Sequence, residues 1–155
     1  MKNIKTGLIL LAFIIAGCGG SPEKPEPPPT IVDAKIAVSA KANPDINRRP
    51  SPIVVRIYEL KSLGEYTESD FYISFEDYES KLGADLLNSE QFHFNPGDIH
   101  TLKHNVSSDT NYIAVVAAYR NLDRAIWRDA ISIPIEKTTQ IFIFVDELDI
   151  SVWKK

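Results

Sequence analysis

Few residues in this chain have types and spacing that could do chemistry, and the clearest is its one cysteine. Cys18 follows Ile15, Ala16 and Gly17, a branched apolar residue and two small ones. Small side chains let that backbone lie extended in a peptidase groove, and the thiol is a nucleophile able to accept diacylglycerol. The four residues resemble the bacterial lipobox, so Cys18 is read as a lipidation site. The next candidates are His93, His100 and His104. On a strand, His100 and His104 share a face about 13 Å apart at a rise of ~3.3 Å per residue. That is too far for one zinc ion, whose ligands lie ~2.0 Å from the metal. His93 on the neighbouring strand can approach only one of them, leaving an incomplete site. Arg120, Asp123, Arg124 and Arg128 cluster beside Trp127, but no serine or histidine motif stands there to act as nucleophile or base. Asp123 is expected to shape a turn and pair locally with an arginine, while Trp127 covers an edge of the fold. With no Gly-rich phosphate loop and no cysteine cluster, an enzyme is not expected, nor a cofactor, a metal or a small-molecule substrate.

The segment before Cys18 has the order of a secretion signal. Lys2 and Lys5 make a positive start, residues 8–16 are apolar, and Ala16 and Gly17 are small. An apolar run of about ten residues is too short for the roughly 20 of a spanning helix. Residues 1–17 are therefore expected to be cleaved. Cleavage of the 155-residue chain leaves 138 residues with 15 basic against 21 acidic side chains. This is enough for one domain with a real core. A mildly acidic chain with no basic run argues against nucleic-acid binding. The lone thiol excludes an intramolecular disulfide framework. Two or more acyl chains make anchoring durable, and Gly19 in place of an aspartate after the cysteine resembles the pattern sent on to the outer membrane.

Residues 18–30 read as a lipidated, Pro-rich tether. Its stretch GGSPEKPEPPP (19–29) cannot form a helix and reaches on the order of 30 Å at ~3.1 Å per residue. Beyond it the chain reads mostly as strands. Residues 31–40 alternate Val32, Ala34, Ile36 and Val38, the period of a half-buried strand. Residues 52–60 are β-branched and aromatic. Residues 91–94 lead into the turn Asn95-Pro96-Gly97-Asp98, followed by strands at 99–106, 111–120, 125–133, 140–145 and 149–153. The run from Ile113 to Tyr119 is apolar on both faces, as a central strand would be. Between the second and third strands the period changes: Phe75, Tyr78, Leu82 and Leu86 suit one helical face, with Ser69 or Asp70 as a cap and Gly83 as a stop. The expected fold is a two-sheet β-sandwich over residues 31–155, with a small helical insertion at about 66–87.

Two blocks resemble a known family. The stretch from Arg49 through Pro50, Pro52, Arg56 and Tyr58 to Leu60, with Ser69-Asp70-Phe71 downstream, is similar to the lipoprotein family of type VI secretion systems, TssJ (also called SciN). So is the stretch from Val115 to Asp123 followed by Ile126-Trp127-Arg128. Leu82-Gly83 and Asn95-Pro96-Gly97-Asp98 fall where family features are expected, and the lipobox agrees. The resemblance implies a transthyretin-like sandwich with added helices, anchored in the outer membrane and facing the periplasm. It implies a scaffold that binds the periplasmic domain of the inner-membrane protein TssM and so joins the two membranes. It places the contact in the loop between the first and second strands, here Asn43, Pro44, Asp45, Ile46, Asn47, Arg48 and Arg49. Two prolines, Pro44 and Pro50, stiffen the whole connection from Lys41 to Pro50, Ile46 is an apolar residue in polar surroundings, and Arg48 and Arg49 can pair bidentately with carboxylates. The competing reading is a periplasmic ligand-binding lipoprotein that presents the same sandwich on its tether.

Overall fold

The computed structural model describes residues 25–155. The predicted signal peptide, Cys18 and most of the tether lie outside the described residues. Two four-stranded sheets pack face to face. One has the order β4-β1-β7-β8 and the other β3-β2-β5-β6. The strands are β1 (Ile31–Val38), β2 (Ile53–Leu60), β3 (Leu86–Phe94), β4 (Ile99–Asn105), β5 (Tyr112–Ala117), β6 (Arg128–Ser132), β7 (Thr138–Val145) and β8 (Ile150–Lys154). β1 and β7 pair in parallel and every other ladder is antiparallel. The alternation read from the sequence sets the core. Val32, Ala34, Ile36 and Val38 of β1 meet Ile141, Ile143 and Val145 of β7, with Ile53, Val55, Ile113, Val115 and Ala117 facing them from the second sheet.

The other face of the second sheet is apolar too, which explains why β5 reads as hydrophobic on both sides. Tyr58, Leu60, Ala114 and Val116 form a second buried cluster under a helical insertion. The insertion is not the single helix that the spacing predicts. It runs as three five-residue helices, α1 (Gly64–Glu68), α2 (Phe71–Phe75) and α3 (Tyr78–Leu82), and a 3-10 turn (Gly83–Asp85). Ser69 closes α1: its backbone is extended and its hydroxyl donates to the Glu65 carbonyl. Asp77 leaves helical geometry between α2 and α3, and Gly83, at φ 48°, ends α3 in a conformation other residues rarely adopt. The apolar spacing nevertheless reports the right face, because Phe75, Tyr78, Leu82 and Leu86 all pack toward the sheet. Leu86 does so from the start of β3, which begins five residues before the predicted Gln91.

Two polar features fix the ends. The predicted turn at 95–98 forms with Gly97 at φ 90°. The Asn95 N–H donates to the Asp98 carboxylate at 2.7 Å. It joins β3 to β4 in the opposite sheet rather than making a hairpin. Inside the sandwich, the Glu59 carboxylate is only 6% exposed. It accepts hydrogen bonds from Asn88 (3.0 Å), the Ser107 N–H (3.3 Å) and the Thr110 hydroxyl (3.2 Å), and His104 Nε2 lies 3.2 Å away. A buried carboxylate is tolerable only with such partners. Burial also pushes the Tyr58 hydroxyl up to about 12, and that hydroxyl donates to the Ser74 carbonyl under the insertion. Replacing Glu59 strands several of these donors. Glu59→Ala is expected to cost about 2–3 kcal/mol in urea denaturation, with Glu59→Gln intermediate. A loss below about 0.5 kcal/mol, the range of an ordinary surface change, would show that the hub does not hold the sandwich.

Candidate functional site

β1 and β2 belong to different sheets, so the segment between them crosses from one to the other at the end of the sandwich. Asn43 makes that crossing rigid. It is 2% exposed and sits at φ 51°. Its side-chain amide donates to the Pro52 carbonyl at 2.7 Å, its carbonyl oxygen accepts the Arg120 N–H at 2.8 Å, and its own N–H donates to the Glu147 carbonyl at 3.0 Å. One asparagine thus ties the loop to the chain following β5 and to the chain following β7. Of the seven predicted contact residues, Asn43 is therefore the one turned inward. It supports the loop rather than facing a partner.

The remaining six form the tip, organised by Asp45. Its Oδ1 accepts the N–H groups of Asn47 (2.8 Å) and Arg49 (2.9 Å), and its Oδ2 accepts Arg49 Nε and Nη2, both at 2.7 Å. The backbone closes the same turn, Asp45 N–H to the Arg49 carbonyl and Arg48 N–H to the Asp45 carbonyl, each at 2.9 Å. Arg48 sits at φ 61°. The Arg49 backbone N–H, and after it the guanidinium, hold the Asp45 carboxyl below the usual carboxylate range. Arg49 is thus paired within its own loop through Nε and Nη2, while its side chain remains largely exposed. Ile46 stands at the apex, 98% exposed.

The loop is one wall of an open cleft of about 1020 Å³. The second wall is Asp70, Phe71 and Tyr72 from the insertion, and the third is residues 120–123 with Trp127. The second and third walls meet through aromatic rings: Phe71 lies edge-on to Trp127 at 5.5 Å, and it stacks on Phe75 at 5.3 Å. Arg128 sets the position of the second wall. Its guanidinium donates to the carbonyls of Tyr66 (2.6 Å), Thr67 (2.6 Å) and Ser69 (2.5 Å) and lies 4.7 Å from the Trp127 ring centroid. These donors satisfy α1 carbonyls that a five-residue helix cannot satisfy itself.

The sequence points at these walls only obliquely. The Asp70-Phe71 pair and the run 120–128 are far apart in the chain, and nothing in either marks them as parts of one cleft. Asp123 is a central residue of the turn in which the Arg124 and Ala125 N–H groups donate to the Asn121 carbonyl, but among the described residues it forms no ion pair with an arginine. Trp127 packs against both core clusters as well as lining the cleft. The histidines are dispersed. His93 is on the opposite sheet from His100 and His104, His100 rests on Phe92 and Phe94, and His104 is held by Glu59. Among the described residues no group of three His, Cys, Asp or Glu side chains could hold a metal ion. The inner cavity beside Glu59 and His104 measures about 20 Å³, room for little more than one water.

Residues 30–148 match the model of the type VI secretion lipoprotein family (VasD, EvfM, TssJ). The chain belongs to that family. The crystal structure of the type VI secretion lipoprotein TssJ1 from Pseudomonas aeruginosa is similar at 29% identity and a TM-score of 0.80, covering 83% of this chain and 98% of that one. Lip from Serratia marcescens, a membrane-bound component of the same kind of system, is similar at 28% identity and a TM-score of 0.75, over 82% and 98%. A chain in a structure described as the TssM C-terminal domain from EAEC matches at 18% identity and a TM-score of 0.67, over 79% and 97%, which shows the fold alone. A search of curated protein sequences finds no match. The chain is therefore a type VI secretion lipoprotein.

Two measurements test the cleft geometry. In an NMR titration Asp45 should protonate below the ordinary carboxylate value, and Arg49→Ala should move it upward. The linked stability of the tip turn is present above the ordinary value, ~3.9, and is lost as pH falls through the lowered one. An Asp45 that titrates normally would remove the turn's organiser. Arg128→Ala should raise amide exchange across α1 and α2 while leaving β1 and β7 protected. Unchanged exchange in the insertion would show that the guanidinium does not hold it.

Proposed function

We propose that this lipoprotein is anchored in the outer membrane through lipid on Cys18, faces the periplasm, and docks the periplasmic domain of TssM in the cleft beside the β1–β2 loop. One observation carries this reading: tether and cleft lie at opposite ends of the same strand. Pro27, Pro28 and Pro29 leave the domain at the start of β1, beside Val106 and Ile135, and the loop begins at its end. Eight residues of β1 at ~3.3 Å each separate them by about 26 Å. An anchor attached at one end of β1 leaves the docking surface at the other end free of the tether.

The tip suits a protein partner better than a small ligand. Ile46 projects from a turn that is already ordered, so little entropy is lost when it is buried. With Arg49 paired internally, Arg48, Arg120 and Arg124 are the cations around Ile46 that form no ion pair among the described residues. An apolar plug among unpaired arginines fits a partner groove rimmed by carboxylates. The family membership and the structural likeness to a chain from a TssM structure support TssM as that partner.

Co-purification of the mature domain with the periplasmic part of TssM tests the reading. Ile46→Asp should weaken the complex about thirtyfold, the size of a hot-spot loss near 2 kcal/mol, without lowering the melting temperature. Arg48→Glu with Arg120→Glu should mainly slow association and flatten its salt dependence. Wild-type affinity in Ile46→Asp would sink the loop as the contact. Separately, Cys18→Ser should leave a folded protein that no longer sediments with membranes and no longer supports secretion.

A further inference from the structure

The two outer faces of the sandwich differ in what covers them. The insertion packs over β2 and β5, whereas the outer face of the β4-β1-β7-β8 sheet carries no such layer among the described residues. Strand register puts Ile99, Ala37, Phe144 and Ser151 in one row across that face, and Thr101, Lys35, Phe142 and Trp153 in the next. The Phe142 and Trp153 rings stack at 5.9 Å and 15°. Ile99 is 66% and Trp153 45% exposed. A third row holds Lys103, Asp33 and Gln140, and the Lys155 N–H donates to the Gln140 carbonyl at 3.1 Å.

The charges on this face run against the rest of the molecule. The chain is acidic, with a formal net charge of −4, yet Lys35, Lys103 and Lys155 stand here against Asp33 alone. Asp33 lies 4.0 Å from Lys103. We propose that this face rests on the anionic phospholipid surface of the membrane to which the protein is tethered. Exposed aromatic rings sit at the headgroup level of a bilayer, and lysines beside them reach the phosphates with extended stems. Each lysine near an anionic surface strengthens the attraction by about fivefold. A second copy of the chain fits less well, because a two-fold pairing would bring this lysine-rich patch against the same lysine-rich patch. The tether enters at Ile31, on the same sheet as the third row, so anchoring raises the local concentration of headgroups at that row. The cleft opens on the insertion side of the sandwich and stays clear of the lipid. This rests on the membrane anchor proposed above, and the two can be separated.

The chain has two tryptophans, Trp153 on this face and Trp127 in the cleft, so each serves as the control for the other. Lipidated full-length protein is reconstituted into vesicles containing brominated phospholipids, either neutral phosphatidylcholine or with added phosphatidylglycerol. In Trp127→Phe, Trp153 fluorescence should be quenched in the anionic vesicles and much less in the neutral ones. In Trp153→Phe, the remaining Trp127 should be unquenched. Reversal of Lys35, Lys103 and Lys155 to Glu in the Trp127→Phe background should abolish the quenching, with circular dichroism showing the sheet intact. Flotation with the vesicles reports the Cys18 anchor by itself. Trp153 left unquenched in anionic vesicles overturns the proposal, whether or not the protein floats, and so does equal quenching in neutral and anionic vesicles.

Discussion

Burying both faces of one sheet is the constraint on which the rest of this molecule depends. β2 and β5 give one set of side chains to the sandwich core and the alternate set, Tyr58, Leu60, Ala114 and Val116, to the outside. Each large side chain left in water there would forfeit roughly 1.5–3 kcal/mol, so something must cover them. The cover comes from the 25 residues between β2 and β3 (61–85), folded largely as three helices too short to be stable alone. Such helices leave most of their carbonyls without partners, and two arginines from the sheet beneath supply donors. Arg128 serves α1. Arg56 donates to the Phe75 carbonyl while lying 4.5 Å and 4.3 Å from the ring centroids of Phe75 and Tyr78. Covering the sheet and building one wall of the cleft are therefore the same event.

That coupling explains what could and could not be read from the chain. All eight strands were legible because period-2 alternation survives wherever one face is buried, and β5 was legible because both of its faces are. The insertion was legible as a face but not as a path. Phe75, Tyr78, Leu82 and Leu86 keep helical spacing, yet what orients them is packing on the sheet, and the breaks at Ser69 and Asp77 answer to carbonyls that Arg128 and Arg56 reach from distant positions. β3 reads as shorter than it is because residues 86–90 carry an Asn, a Ser and a Glu where a core strand would carry apolar groups. The structure explains those residues by Asn88 serving Glu59.

Polar residues with structural duties were the hardest to tell from functional ones. In sequence, Asn43 and Asn47 are equivalent members of a polar loop. In the fold, one is a buried staple between two sheets and the other donates only a backbone N–H to Asp45. Arg48 and Arg49 are adjacent and chemically identical, but Arg49 is committed to Asp45 and Arg48 is not. No local pattern separates these pairs. The difference arises from the crossing of the chain between sheets, which brings Arg120 and Glu147 to Asn43 and leaves Ile46 outermost.

An isoleucine held 98% exposed at the apex of an ordered turn is costly for a free protein and economical for one that docks. If the loop were floppy, Ile46 could fold back onto the aromatic cleft walls at Phe71 and Trp127. The Asp45–Arg49 pair and the left-handed backbone at Asn43 and Arg48 oppose that collapse. Exposed ion pairs contribute little to global stability, so the pair is better understood as fixing a shape than as holding the sandwich together. The shape keeps the apex standing clear of the cleft while unpaired arginines flank it. Loss of Arg49 should then leave the domain as stable as before and slow its association with a partner, since the tip must be reordered at each encounter.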